Sequence, residues 1–465
     1  MASPTVSNVP PPLPAGYRRR SIAGPVVLIV LGVLFLLGNL GYLSWSRLGY
    51  LFARYWPLLI ILWGVIKLVE HYEAQRRGYP TGGLGFGGIL FLVFLVMIGL
   101  AASGAYHYRG VIGDQLQIDD APFTLFGNPY NYTDELRQPF PAGASLRVAC
   151  DRGEVRLIAW DENNIKVSVQ KRVVAESQSS ADAVNAATKP TITVAGDLVT
   201  VNANTSRATG NHRVDTNLEI YVPRKAAADV ATAHGTVAVH GRQGNVNINN
   251  SHGDVELGGV QGNVNIQMRG GSVRADSLRG DLNVNGRLND VSVDNVQGSV
   301  RLTGDFFGTT HIAKVTNAVG FHSSRTDMDL AKLEGDLTLD SGDLRASSLA
   351  GPARVVTRSK DIRLSDFTGN VHIEDNNSDI ELTPGKLPLG NIQITNRRGR
   401  IQLVLPANAA FQLDAHASRG EISSDFPGLN VQNRSHEAQA TGSVGSGGPQ
   451  IQLSTERGDI EIRKG

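Results

Sequence analysis

Along the second half of the chain a small or polar mark recurs every nine residues, at Gly235, Gly244, Gly253, Gly262, Gly271, Gly280, Asn289 and Gly298, and again at Gly342, Gly351, Lys360, Gly369 and Ser378. Two and four positions after each mark stands an apolar pair, such as Val246/Ile248, Val255/Leu257, Val264/Ile266, Leu282/Val284, Val291/Val293, Ile362/Leu364 or Ile380/Leu382. Strand side chains alternate between faces, so each pair points to one side, and a fixed sequence period stacks the pairs into one buried seam. The full repeat is eighteen residues, because only alternate marks carry an apolar residue two positions earlier: Val260, Leu278, Val296, Leu333, Leu349 and Phe367. This pattern predicts an all-β fold, a β-solenoid of 18-residue two-strand coils, with roughly ten coils at ~4.8 Å each giving on the order of 50 Å. Between Gly298 and Thr326 the register slips by one, at Phe306-Phe307, which predicts a bulge or short excursion.

A solenoid with open ends exposes strand edges that template aggregation, so both ends need covering. Residues 141–223 are expected to form an N-terminal β cap, with strands over 146–149, 155–158, 165–169 and 218–222, another around Ile192, and a short helix over 180–187. The solenoid then occupies 224–465, its last unit closing with 458–462. Upstream, residues 107–140, rich in Pro, Asn and Tyr, read as a linker.

Residues 21–106 form an α-helical transmembrane region of three expected spans, 22–43, 48–69 and 82–106. The first and third hold the uncharged runs 22–43 and 81–106, and about 20 apolar residues cross a bilayer core. The middle span is shorter in its apolar core, with Arg54 and Lys67 placed to snorkel from its ends. Residues 1–20 read as a disordered cytoplasmic tail. One side of the membrane collects Arg18, Arg19, Arg20, Lys67, Arg76 and Arg77, the other Arg47, Arg54 and Arg109. The positive-inside rule therefore puts the N-terminus in the cytoplasm and the solenoid outside the cytoplasmic membrane. Without the middle span the solenoid falls in the cytoplasm, as a self-assembling membrane-tethered scaffold.

The net charge of +1 provides no field for nucleic acid, and the single Cys150 excludes an internal disulfide or a zinc ribbon. Asp254, Asp281, Asp336 and Asp343 each follow a mark directly, where a turn residue with a self-satisfying side chain is expected; the chain lacks the Gly-Gly-x-Gly-x-Asp turn of calcium-binding repeats. His234 and His252 sit one coil apart, but Gly270 takes the next place and no third metal ligand follows. The outward pairs Asp254/Glu256 and Asp379/Glu381 lie near Arg274, Arg345 and Arg363 in the stack and read as charge ladders rather than acid and base. No nucleophile elbow, phosphate loop or metal motif is present, so no cofactor, metal or catalytic residue is expected and the chain reads as a non-enzyme. A polysaccharide lyase or hydrolase on a β-helix is the weaker alternative. The face that stands out carries Asn245, Asn247, Asn249, Asn263, Asn265, Gln267, Asn283 and Asn285 at outward positions. Their amides either stack and stabilise the coils or offer a polar binding face for cell-wall glycan or peptide. Expected partners are the membrane lipid bilayer and envelope proteins or cell-wall material, with a homo-oligomer compatible.

Two resemblances add to this reading. Residues 24–41, with Asn39, followed by Tyr55-Trp-Pro-Leu-Leu-Ile-Ile-Leu-Trp-Gly64, resemble the transmembrane region of bacterial LiaI/LiaF-type envelope-response proteins. Residues 141–465 resemble an adhesin-type bacterial β-strand-repeat family of unknown function, related to the toastrack-like domains. The residues carrying that likeness are Gly153-Glu-Val-Arg-Leu with Trp160, Glu219-Ile-Tyr-Val-Pro223, the repeated Gly-Asp-Val and Gly-Asn-Val units, Leu405-Pro-Ala-Asn408 and Gly458-Asp-Ile-Glu-Ile462. The resemblances imply a membrane-anchored envelope protein that displays its solenoid for binding, scaffolding or stress sensing, and bring no catalytic residues.

The alternation makes a sharp prediction. Ile266→Asp places an unpaired carboxylate in the seam and costs several kcal/mol, whereas Asn265→Asp, one residue away, costs at most about 1 kcal/mol. Thermal unfolding of the two variants checks this; equal destabilisation would mean that the inward and outward assignment is shifted by one residue.

Overall fold

The computed structural model describes residues 128–208 and 212–465, with a few helical residues between 55 and 98. Those few apart, the tail and the three expected spans lie outside the described residues. Among the described residues no helix is long and apolar enough to cross a membrane.

From Ala228 onward the chain coils between two sheets. In one, Val246 pairs with Val264, Val264 with Leu282 and Leu282 with Val300; in the other, Val255 pairs with Val273 and Val273 with Val291. Each of these five pairings is parallel and displaced by eighteen residues. The predicted inward pairs are buried, and so are Val260, Leu278, Val296, Leu333, Leu349 and Phe367. One continuous apolar cluster runs from Phe140 to Ile462. The sheets hold 16 and 17 strands, on the order of 75 Å of stacking rather than the expected 50 Å. The stack is longer because residues expected only to cap it supply rungs of their own.

Two features of each corner set the sequence period. Gly235, Gly253 and Gly271 have φ of +138°, +132° and +121° and lie directly over one another. A Cβ on Gly253 would stand 2.2 Å from the carbonyl oxygen of Gly235, and one on Gly271 would stand 2.0 Å from that of Gly253. The residue after the mark then reaches to the next coil. Asp254 Oδ1 accepts the Ser272 N–H at 2.9 Å, Asn263 Oδ1 the Asp281 N–H at 3.0 Å and Asp281 Oδ1 the Ser299 N–H at 2.8 Å. The expectation that Asp254 and Asp281 satisfy their own turns is corrected accordingly: the donor each takes up belongs to the following coil.

The slip between Gly298 and Thr326 is larger than a bulge. Val291 pairs with Thr310, one residue beyond the regular period, and Phe306 packs on Phe321 with ring centroids 4.7 Å apart. After the strand Val319–His322 the chain turns back. Strand Thr326–Leu330 runs antiparallel to it and to Ala353–Thr357, and Leu333–Leu339 runs antiparallel to both Thr310–Val315 and Asp343–Leu349. One whole coil is thus traversed backwards before the parallel stack resumes.

Both ends depart from sequence order. Strand Ser145–Arg152 lies between Leu198–Asn202 and Ala228–His234, while Val155–Trp160 lies between Arg213–Pro223 and Val237–His240. At the far end, Gln450–Arg457 inserts between Ile392–Arg398 and Phe411–Ala417, and Ile460–Lys464 between Ile401–Leu405 and Ile422–Ser424. The segment 458–462 therefore does not close the stack. The hairpin of Leu429–Arg434 and Glu437–Val444 extends that sheet beyond Phe411–Ala417. The expected linker also ends early, because Asn128–Pro139 forms a twelve-residue strand at the edge of the other sheet.

Buried cations tie down the irregular N-terminal connections. Arg242 occupies the inward place that Val260 fills one coil later; it donates to the carbonyls of Pro223, at 3.2 Å, and Ala226, and burial pulls its guanidinium down to about 10. Lys171 Nζ donates to Thr188 O at 2.7 Å beside the helix Gln178–Ala187.

The glycine column yields a graded expectation. Gly271→Ala combines φ strain with backbone overlap and should destabilise by at least about 2 kcal/mol. Gly143→Ala, at φ +80° with nothing within 4 Å of the added carbon, should cost only about 1 kcal/mol. Denaturant unfolding of both variants distinguishes the two effects.

Candidate functional site

All eight predicted amide residues are exposed, six of them in register on the outward face of the 17-stranded sheet and two, Asn245 and Asn263, at its corners. They divide by role. Asn265 Nδ2 donates to Asn247 Oδ1 at 3.0 Å and Asn283 Nδ2 to Asn265 Oδ1 at 3.1 Å, a ladder in which each amide orders the next. Asn245 and Asn263 are corner residues whose side-chain oxygens accept backbone N–H groups from the next coil. Asn249, Gln267 and Asn285 form the adjoining column. The ladder gives way to charge at both ends. Asn247 is followed in register by Asp229 and Arg147, which pair at 3.3 Å, and Asn283 by Arg301 and then Gly320. These bonds order the amides along the stack and take up part of their hydrogen-bonding capacity.

His234 and His252 stack with ring centroids 5.2 Å apart and planes 13° from parallel. On the 16-stranded sheet Arg363 stands 3.6 Å from Asp343 and 3.7 Å from Glu381, Arg345 pairs with Asp343 at 2.9 Å, and Arg400 reaches Asp379 at 3.5 Å. Glu256 faces Arg274 in register. Carboxylates held this way on a flat strand face are neutralised neighbours, without the separated environments that acid and base catalysis requires.

The reversed coil assembles a group that the sequence reading missed. Its hairpin sets His322 opposite Asp327 and Gly320 opposite Asp329. His322 Nδ1 lies 2.6 Å from Asp327 Oδ1, and Nε2 lies 3.5 Å from Asp329 Oδ1. Arg354, on the next strand, donates from Nη1 to Asp327 Oδ2 at 2.6 Å. The hydrogen bond to His322, then that to Arg354, holds the Asp327 carboxyl below the usual carboxylate range. Among the described residues this is the one grouping of three His, Cys, Asp or Glu side chains with ligand atoms close enough to share an ion. Beside it, Leu330, Ala331, Pro352, Ala353 and Val371 line a groove of about 520 Å³, with Asp329, Arg354 and His372 among its polar lining. The signal was present in the sequence: His322, Asp327 and Asp329 alternate with the buried Phe321, Thr326, Met328 and Leu330. Treating 319–330 as a slipped coil rather than a hairpin hid the pairing.

Comparison with known proteins gives two family matches: a model described as Toastrack DUF4097 covers residues 145–463, and one described as the LiaF transmembrane domain covers residues 23–109. No curated protein matches the chain. Among solved structures, a "putative cell adhesion protein" from Clostridium sporogenes is similar over 73% of this chain and 100% of its own, at 10% identity and a TM-score of 0.16. A "putative adhesin" from Parabacteroides distasonis is similar over 72% of this chain and 97% of its own, at 9% identity and a TM-score of 0.21.

The depressed Asp327 carboxyl gives a pH dependence with a definite sign. Its folded value lies below the unfolded value of about 3.9, so its pairs contribute fully above that pH and are lost as pH falls through the depressed value. Both partners are substantially exposed, which limits the contribution to at most about 1 kcal/mol at neutral pH. The Tm difference between the parent protein and Asp327→Asn should therefore be full above the ordinary carboxylate range and should vanish in strong acid.

Proposed function

This chain belongs to the Toastrack DUF4097 family, and from that premise we propose that it is a multi-pass protein of the cytoplasmic membrane that displays its β-solenoid on the extracytoplasmic side. There the solenoid serves as a non-enzymatic surface for binding, scaffolding or envelope-stress sensing. One observation carries the reading: a LiaF transmembrane domain at 23–109 precedes the Toastrack domain at 145–463 in a single polypeptide. The six basic residues on one side of the expected spans against three on the other support the outward placement. The amide ladder and the pairing of Arg363 with Asp343 and Glu381 support an ordered polar surface.

Protease treatment of intact spheroplasts tests the placement. Digestion of the solenoid without membrane rupture is the expected outcome. Protection until the membrane is broken would overturn the outward orientation and favour a cytoplasmic, membrane-tethered scaffold. Crosslinking from native membranes should then capture envelope components through the solenoid.

A further inference from the structure

We propose that the reversed coil carries a site for a divalent transition-metal cation of the zinc class, ligated by His322 Nε2 and Asp329 Oδ1 and oriented by Asp327. The proposal rests on the hairpin geometry and is independent of the orientation proposed above.

The side chains already stand in the relation such a site needs. The Asp327 carboxylate at 2.6 Å accepts the Nδ1 hydrogen of His322, and in the neutral ring this bond selects the tautomer whose Nε2 lone pair faces Asp329. The other oxygen of Asp327 is engaged by Arg354 at 2.6 Å, so this carboxylate orients the imidazole rather than ligating. The 3.5 Å between Nε2 and Asp329 Oδ1 is close to the edge of a tetrahedron built on bonds of about 2.1 Å, roughly 3.4 Å. A single cation can therefore bridge the two atoms with little movement.

Gly320 is the second observation. It is buried in the strand Val319–His322, and its φ lies outside the left-handed region, so the backbone does not require glycine there. The space a side chain would take there is held by the imidazole: a Cβ at Gly320 would stand 2.9 Å from His322 Nε2 and 3.4 Å from Asp329 Oδ1. The missing side chain lets the ring lie over the strand with Nε2 aimed at Asp329.

The surroundings select the cation. Arg354 engages one carboxylate, and Arg301 stands in register beside Gly320. Only the Asp329 carboxylate and one imidazole nitrogen are left, a poor match for calcium or magnesium, which need several oxygen donors, and a better one for zinc, cobalt or nickel. Two protein ligands leave open positions for water or an outside donor, and Asp329 also borders the apolar groove. His372 provides an internal contrast, because Glu374 at 2.8 Å and Gln393 at 3.2 Å occupy both of its ring nitrogens.

The test uses the full-length protein, purified metal-free in detergent and titrated with Co²⁺ by visible absorption, with Zn²⁺ as competitor. Saturable binding displaced by Zn²⁺ but not by Ca²⁺ is expected. His322→Gln and Asp329→Asn should abolish it, Asp327→Asn should weaken it about 10- to 100-fold, Gly320→Ala should weaken it by separating the donors, and His372→Gln should leave it unchanged. Far-UV circular dichroism and Tm establish that each variant is folded; the substitutions at His322 and Asp329 are at solvent-accessible positions and keep nearly the same size. Parent-like affinity in folded His322→Gln or Asp329→Asn, displacement by Ca²⁺, or no saturable Co²⁺ binding would overturn the proposal.

Discussion

The close approach of backbone to backbone at the coil corners is the constraint on which the rest of the molecule depends. At the column of Gly235, Gly253 and Gly271, the carbonyl oxygen of one coil occupies the space a side chain of the next would need. Only a residue without Cβ, free to adopt positive φ, lets successive coils approach to the strand spacing there. Once that spacing is met, everything else repeats by translation: the aliphatic seam, the ladder hydrogen bonds, and the corner oxygens of Asp254, Asn263 and Asp281 that take up the N–H groups of the following coil. The Gly-Asp and Gly-Asn pairs are therefore one device, with glycine allowing the contact and the next side chain bonding across it.

A regular stack is indifferent to which coil is which, and the molecule's individuality lies where the regularity breaks. Out-of-order insertion at both ends places Ser145–Trp160 and Gln450–Lys464 inside the stack, each with a strand on either side. It makes both ends depend on contacts between residues far apart in sequence, Leu146 with Ala228 and Ile394 with Leu453 among them.

The reversed coil is the other break, and chemistry gathers there for a geometric reason. In a parallel stack an outward residue meets its equivalent one repeat away, so columns collect like residues, as Asn247, Asn265 and Asn283 do. An antiparallel hairpin instead brings together residues that are close in sequence and unlike in type. His322 meets Asp327, Gly320 leaves space opposite Asp329, and Arg354 arrives from the next strand.

Much of this was legible from the residues alone. The period of eighteen, the inward identity of Val264 and Ile266, the outward identity of Asn265 and the extra inward residue at Val260 or Leu278 follow from strand alternation and the glycine marks, because a translational repeat writes its geometry into the sequence at every turn. Resemblance of the membrane segment and of the repeat region to known families was likewise visible in Tyr55-Trp56-Pro57 and in the Gly-Asp-Val units. Order in the stack was not: nothing local to Gln450–Arg457 distinguishes a last coil from an inserted one, since its alternation suits either place equally. Nor was the direction of Thr326–Leu330, whose side chains alternate in the same way whichever way the strand runs. The sequence determined which residues face inward and how long each coil is, because those depend on neighbours two and eighteen residues away. Only the tertiary structure decided which coils lie against each other and which one runs backwards, because hydrogen bonding between strands accepts either partner and either direction and is resolved by the packing of the whole stack.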